Sequence, residues 1–204
     1  MADQPIMETR GATKEFNGLR AVDGVDFRIA DGEAVGIIGP NGAGKTTFFN
    51  LLTGLFPPSQ GSVFFAGREI TKEPPYNRVM MGIVRTFQLV SVFDSLKVSE
   101  NLVLSNVRFG SDYASKRRFF FSDAHRPEMT VRCSQALHVM GIERKADLMT
   151  SELSYGDKRK LEIAVALSMK PKILLLDEPF AGLSDQEIGE VAAIIATVKQ
   201  GISL

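Results

Sequence analysis

Apolar and polar residues alternate early in the chain. Val25, Phe27 and Ile29 interleave with Asp26 and Arg28, the period-two pattern of a half-buried strand. Asp31-Gly32 is turn chemistry, and residues 34–38 then form a short continuous apolar run that predicts a fully buried strand. A glycine-rich stretch follows. Residues 46–53 predict a helix, with Gly54 near its C-terminal end. Pro57, Pro58 and Gly61 mark a loop before a strand candidate at 62–66.

Beyond Leu89 the period lengthens. Val98, Asn101, Leu102 and Ser105 have helical spacing. Residues 108–127 are polar and irregular, with Phe119, Phe120 and Phe121 behind Lys116-Arg117-Arg118. The cluster is expected to pack under a helical lobe, with contact to a membrane subunit or headgroup as the alternative. Met129, Cys133, Ala136, Leu137 and Met140 share one helix face, ended by Gly141. Residues 158–169 form a helix with Leu161, Ala164, Val165 and Ser168 on one side. Lys158, Arg159 and Lys160 are expected to be a solvated face. Residues 173–176 read as a buried strand, 186–199 as a helix, and 202–204 as the first step of another strand. Strands alternating with helices predict an α/β core built on a parallel sheet. We expect 1–88 and 158–204 to form that core, and 89–157 an inserted helical subdomain.

Composition narrows the possibilities. In 204 residues, 44% are hydrophobic, enough for a sizeable core. Lys and Arg number 24, as do Asp and Glu, so broad positive charge for nucleic acid is absent. Cys133 is the only cysteine. It allows no internal disulfide, suits a reducing compartment, and falls on an apolar helix face as a small core residue. The start of the chain has no secretory pattern, and no apolar run approaches the about 18 residues of a membrane span.

Gly39-Pro40-Asn41-Gly42-Ala43-Gly44-Lys45-Thr46, followed by Thr47, completes G-x-x-x-x-G-K-[ST] between an apolar run and a helix. Glycines let backbone wind close around phosphate. The amides and the helix N-terminus then face the anion. Lys45 adds a point charge at the β- and γ-phosphates of ATP, and Thr46 offers a hydroxyl to Mg²⁺. Downstream, Leu174-Leu175-Leu176-Asp177-Glu178 is an apolar strand ending in two acids. Asp177 is placed to hold Mg²⁺, and Glu178 to polarise an attacking water.

Between these segments lies Leu153-Ser154-Tyr155-Gly156-Asp157-Lys158-Arg159. With the glycine-rich loop and the acidic strand, it resembles the signature of ABC transporter ATPases. The resemblance spans the chain and implies an α/β P-loop core, a small N-terminal antiparallel β portion and an inserted helical subdomain. It implies that Phe16 stacks the adenine, that Gln88 senses Mg²⁺ and couples to membrane subunits, and that 181–184 form the D-loop. Ser154 and Gly156 would touch the γ-phosphate on a partner ATPase. Tyr155 and Asp157 stand where the family commonly has Gly and Gln, and a carboxylate near γ-phosphate is repulsive unless it points away. The runs 82–88, 98–102 and 155–164 further resemble the ATPases of branched-chain amino acid importers, with urea and short-amide importers as near relatives.

The resemblance also implies a switch histidine after the next strand. His125 and His138 both precede the signature and are expected to be structural or solvated. The expectation is therefore a truncated form, weak in turnover or stability, and a fragment that binds ATP without turnover is one alternative. A soluble relative in DNA repair or translation is another, but coiled-coil inserts and tandem cassettes are missing. The leading expectation is a peripheral subunit on the cytoplasmic face of the cell membrane. It would work as a homo- or heterodimer of ATPases with integral permeases, and indirectly with a solute-binding protein.

Overall fold

The computed structural model describes residues 4–86, 92–106, 127–199 and 203. They fall into two units, each with its own packing. One comprises Met1–Arg85, Pro171–Asp177 and Ala196–Leu204; the other comprises Thr86–Lys170 and Glu178–Ile195.

In the first unit, strands β1 (Met7–Phe16) and β2 (Leu19–Ile29) form an antiparallel hairpin. Asn17 and Gly18 join them with φ of 48° and 86°, the left-handed pair that a two-residue turn between twisted strands demands. The hairpin and the whole of β1 are elements the alternation at 25–29 does not announce. β3 (Gln60–Phe65) pairs antiparallel with β1, and β4 (Arg68–Glu69) with β3, giving the order β2-β1-β3-β4. This is the expected antiparallel portion.

Helix α1 (Lys45–Thr53) lays Phe48, Leu51 and Leu52 into a core shared with Met7, Val22, Ile29, Val63 and Phe65. Helix α2 (Pro75–Met81) leads into β5 (Ile83–Arg85), which pairs parallel with β6 (Ile173–Leu175). Ser203 adds an isolated parallel bridge to Ile173, and its hydroxyl accepts from the Gly32 amide at 2.9 Å. The parallel element expected of an α/β core is thus present.

Arg78 is buried beneath α1. Its guanidinium donates to the carbonyls of Leu51, Leu52, Ile70, Thr71 and Glu73 at 2.7–3.2 Å. The first two are last-turn carbonyls of α1; that of Leu51 also accepts from the Gly54 cap amide at 3.3 Å. Burial pulls the Arg78 pKa down to about 10, which leaves it charged at neutral pH.

Residues 34–38 depart from expectation. Among the described residues they join no ladder, and Ile38 is 94% exposed. An apolar run becomes a strand only when neighbouring backbone supplies its partners. Here β5, β6 and Ser203 pair among themselves and leave 34–38 outside their ladder.

In the second unit, α3 (Val98–Asn106), α4 (Pro127–Val139) and α5 (Tyr155–Ser168) pack together, with α6 (Asp185–Val198) beginning in the same unit. The face predicted for α4 is the buried one: Cys133, Ala136, Leu137 and Met140 are inside, and burial pushes the Cys133 thiol pKa up. His138 is exposed, 3.5 Å from Glu143. His125 and the triple phenylalanine lie outside the described residues. Asn101 is buried and explains its place in the 98–102 run. It accepts from the Phe93 amide at 2.8 Å and donates to Thr150 Oγ1 at 3.0 Å, tying two loops to α3 just upstream of Ser154.

Candidate nucleotide-binding site

The glycine-rich loop leads into α1 through Gly44, whose φ is +83°. A Cβ there would fall 2.1 Å from the Ala21 carbonyl oxygen, so glycine is required twice over, by conformation and by space. No side chain caps the helix start, and its first turn holds no acid. The leading amides of α1 therefore keep their positive end open to an anion. Lys45 Nζ donates back to the carbonyls of Gly39 at 2.7 Å and Pro40 at 2.8 Å. The ammonium is thus already held at the loop's entry. Asn41, Gly42, Ala43 and Thr46 are exposed, while Gly44, Lys45 and Thr47 are half-buried.

Asp177 closes the acidic strand and is buried. Its Oδ2 accepts from Arg85 Nη2 at 2.6 Å, and Arg85 Nη1 donates to Asn50 Oδ1 on α1 at 2.5 Å. The guanidinium therefore bridges the acidic strand to the helix behind the phosphate loop. Sequence reasoning passed over Arg85 and Asn50. A signal existed: Arg85 is a charged residue ending the apolar step Ile83-Val84, and such positions carry a buried charge only when it is paired.

Glu178 leaves the strand with φ of 46°, a left-handed conformation that costs a residue with a side chain about 1–2 kcal/mol. Its residue is exposed, while its carbonyl accepts from Arg159 Nη2 at 2.6 Å. Arg159 Nε donates to the Pro179 carbonyl at 3.2 Å, and Nη1 to Glu162 at 2.5 Å. Arg159 is only 1% exposed. This corrects the expectation of a solvated 158–160 face: the acceptors of Glu162, Glu178 and Pro179 satisfy the guanidinium inside. Lys158 and Lys160, by contrast, pair with Asp94 at 2.7 Å and Glu190 at 2.6 Å.

Ser154 is the N-cap of α5, which therefore begins three residues before the predicted start. Its Oγ accepts from the Asp157 amide at 3.1 Å and donates to the Asp157 carboxylate at 2.9 Å. Lys145 donates to the same carboxylate. Burial raises the Asp157 pKa, but the hydrogen bonds from Lys145 and Ser154 together outweigh it and hold the group below the usual carboxylate range. The carboxylate is thus a neutralised capping group. Gly156 is buried against Glu187: a Cβ would meet Glu187 Oε1 at 2.0 Å. The Tyr155 ring lies over Gly182, which gives the aromatic departure in the signature a seat in the 181–184 segment.

Phe16 ends β1, is 40% exposed, and meets Phe56 edge-on with centroids 5.7 Å apart. Lys14 Nζ sits 5.2 Å from its ring centroid. Gln88 lies outside the described residues. Among the described residues no cluster of three or more His, Cys, Asp or Glu could hold a metal unaided. The Thr46 hydroxyl and Asp177 carboxylate are the hard oxygen donors that Mg²⁺ accepts, and they suit an ion completed by phosphate oxygens.

The profile of the ABC transporter family matches residues 22–181. The chain is 37% identical to the high-affinity branched-chain amino acid transport ATP-binding protein BraF of Pseudomonas aeruginosa, over 96% of this chain and 78% of that protein. It is 38% identical to LivG of Salmonella typhimurium, which bears the same description, with the same coverage. Among solved structures, an ATP-binding cassette of an ABC transporter in its ADP conformation superposes with a TM-score of 0.86 at 30% identity, covering 98% of this chain and 79% of that one. A nucleotide-free cassette gives 0.84, also at 30% identity, with the same coverage. Sequence and fold agree throughout: the chain belongs to the ABC transporter family, as an ATP-binding, ATP-hydrolysing subunit.

Proposed function

We propose that this chain binds Mg-ATP on residues 39–47 and hydrolyses it to drive an importer of branched-chain or related amino acids. The observation that carries the binding reading is the α1 N-terminus: left-handed at Gly44, uncapped by any side chain, and free of first-turn acids. That arrangement favours an anion such as phosphate. Lys45 would exchange its two loop carbonyls for phosphate oxygens. Thr46, Asp177 and Gln88 would hold Mg²⁺, whose charge offsets that of the β- and γ-phosphates. Glu178 would take the proton of the attacking water as general base. Phe16 would stack the adenine. Ser154 and Gly156 would complete the site of a second ATPase subunit, with residues 89–157 as the helical subdomain.

The solute assignment rests on the descriptions of BraF and LivG. Among the described residues no helix is long and apolar enough to cross a membrane. Transport therefore calls for permease partners, with this subunit peripheral on the cytoplasmic face and a solute-binding protein acting through them.

The decisive experiment titrates the chain with Mg-ATP by calorimetry. Lys45→Ala should weaken binding by about tenfold or more, the loss of one charge-assisted contact. Unchanged affinity would overturn the phosphate-loop assignment. Uptake of labelled leucine, against urea, by the chain co-expressed with the permease and solute-binding subunits of a branched-chain amino acid importer tests the solute.

A further inference from the structure

We propose that Arg159 is the positioning residue for Glu178, fixing the general base from the signature helix. The inference rests on the reading of Glu178 given above. Three observations combine. Glu178 holds a left-handed backbone, φ 46°, that a glutamate adopts only when its surroundings impose it. Arg159 supplies that imposition: its Nη2 takes the Glu178 carbonyl at 2.6 Å and its Nε the Pro179 carbonyl at 3.2 Å, on both sides of the bond where the chain turns. Glu162 holds the third face of the guanidinium at 2.5 Å, and both members of that pair are buried on α5.

A planar fork with several donors suits this task, because it engages two carbonyls and a carboxylate at once. A lysine at 159 would retain the charge but not the three-way bridge. Glu178 is an exposed residue whose backbone is clamped from inside. The clamp sits on the helix that Ser154 caps, so the two lie on one rigid element.

The test compares Arg159→Lys and the double variant Arg159→Met/Glu162→Met with Glu178→Gln, all in the full chain. The double variant replaces a buried pair by apolar groups of similar volume, a change cores often tolerate. Steady-state ATPase, Mg-ATP affinity and thermal melting are read for each. We expect kcat to fall by about tenfold or more in the double variant, part of the 10²–10⁴ that a placed general base contributes. KM and ATP affinity should stay near the parent's. Arg159→Lys should fall between the two. If the double variant melts early, Arg159→Lys decides: lowered kcat at unchanged affinity supports the clamp, and parental kcat overturns it. Parental kcat in a well-folded double variant, beside an inactive Glu178→Gln, removes the clamp and leaves Glu178 as base. A fully active Glu178→Gln removes both.

Discussion

Arg85 Nη2 donates to Asp177 Oδ2 at 2.6 Å, and solvent reaches only 6% and 7% of the two side chains. The carboxylate expected to serve Mg²⁺ is therefore paired inside the protein with a guanidinium from the neighbouring strand. The guanidinium also lies 5.4 Å from the Phe49 ring centroid, on α1. Removing it takes a charged partner from a buried carboxylate. Arg85→Met should lower stability by about 3–5 kcal/mol, the usual consequence of breaking a buried pair from one side. Arg85→Lys should lose less. Urea unfolding of the three proteins checks this, and a methionine variant within about 1 kcal/mol of the parent would show that the pair is dispensable.

Gly42 and Gly44 share a φ of 83°, yet they meet different surroundings. A Cβ on Gly42 enters open space, whereas one on Gly44 strikes the Ala21 carbonyl at 2.1 Å. Gly42→Ala should cost only the left-handed penalty, about 1–2 kcal/mol. Gly44→Ala must also displace β2 or the start of α1. We expect it to lose more stability than Gly42→Ala and to weaken Mg-ATP binding by about tenfold or more, through amides no longer aimed at phosphate. Calorimetric titration of both variants separates the effects. Equal affinities would place the loop's tolerance elsewhere.

How much of this was legible beforehand depended on whether a signal was local. The helix α1 with its Gly54 end, and the buried face of α4, follow from spacing within a few residues, and both are as read. The antiparallel strand β1 was missed because its burial pattern is broken by register shifts, so its alternation never sustains itself. Residues 34–38 were over-read, because an apolar run does not reveal which strands will flank it. Arg159 and Arg85 were misjudged or passed over for a related reason. A cation in sequence looks solvated, and only the fold shows the carbonyls and carboxylates that gather round it.

Asp157 offers a pH handle on the signature helix. Burial raises its pKa, but the hydrogen bonds from Lys145 and Ser154 prevail and depress it. A carboxyl depressed on folding contributes stability that is present above its unfolded value, about 3.9, and is lost as pH falls through the folded value. Asp157→Asn removes that contribution. The parent should therefore exceed the variant in stability at pH 6, and the gap should close as the pH is taken below about 3.9. Denaturant melts at successive pH values measure it. A gap that stays constant down to the acid limb would mean that the charge is immaterial and only the cap geometry counts.

Arg78 makes the last prediction, because it joins stability to the phosphate site. Its guanidinium satisfies carbonyls at the end of α1 and along the 70–73 segment. Arg78→Met keeps most of the volume but takes the guanidinium from five carbonyls, of which Leu51 and Ile70 keep the Gly54 and Glu73 amides; each donor lost is worth about 1–3 kcal/mol and the losses are not additive. We expect a loss of about 3 kcal/mol or more in urea unfolding. A released C-terminus on α1 frays toward its N-terminus, where phosphate is to bind. Mg-ATP affinity should therefore fall as well, by less than in Lys45→Ala, since every group facing the nucleotide is still present. If stability drops while affinity is untouched, α1 is held in place by its Phe48, Leu51 and Leu52 packing alone, and Arg78 serves the fold without serving the site.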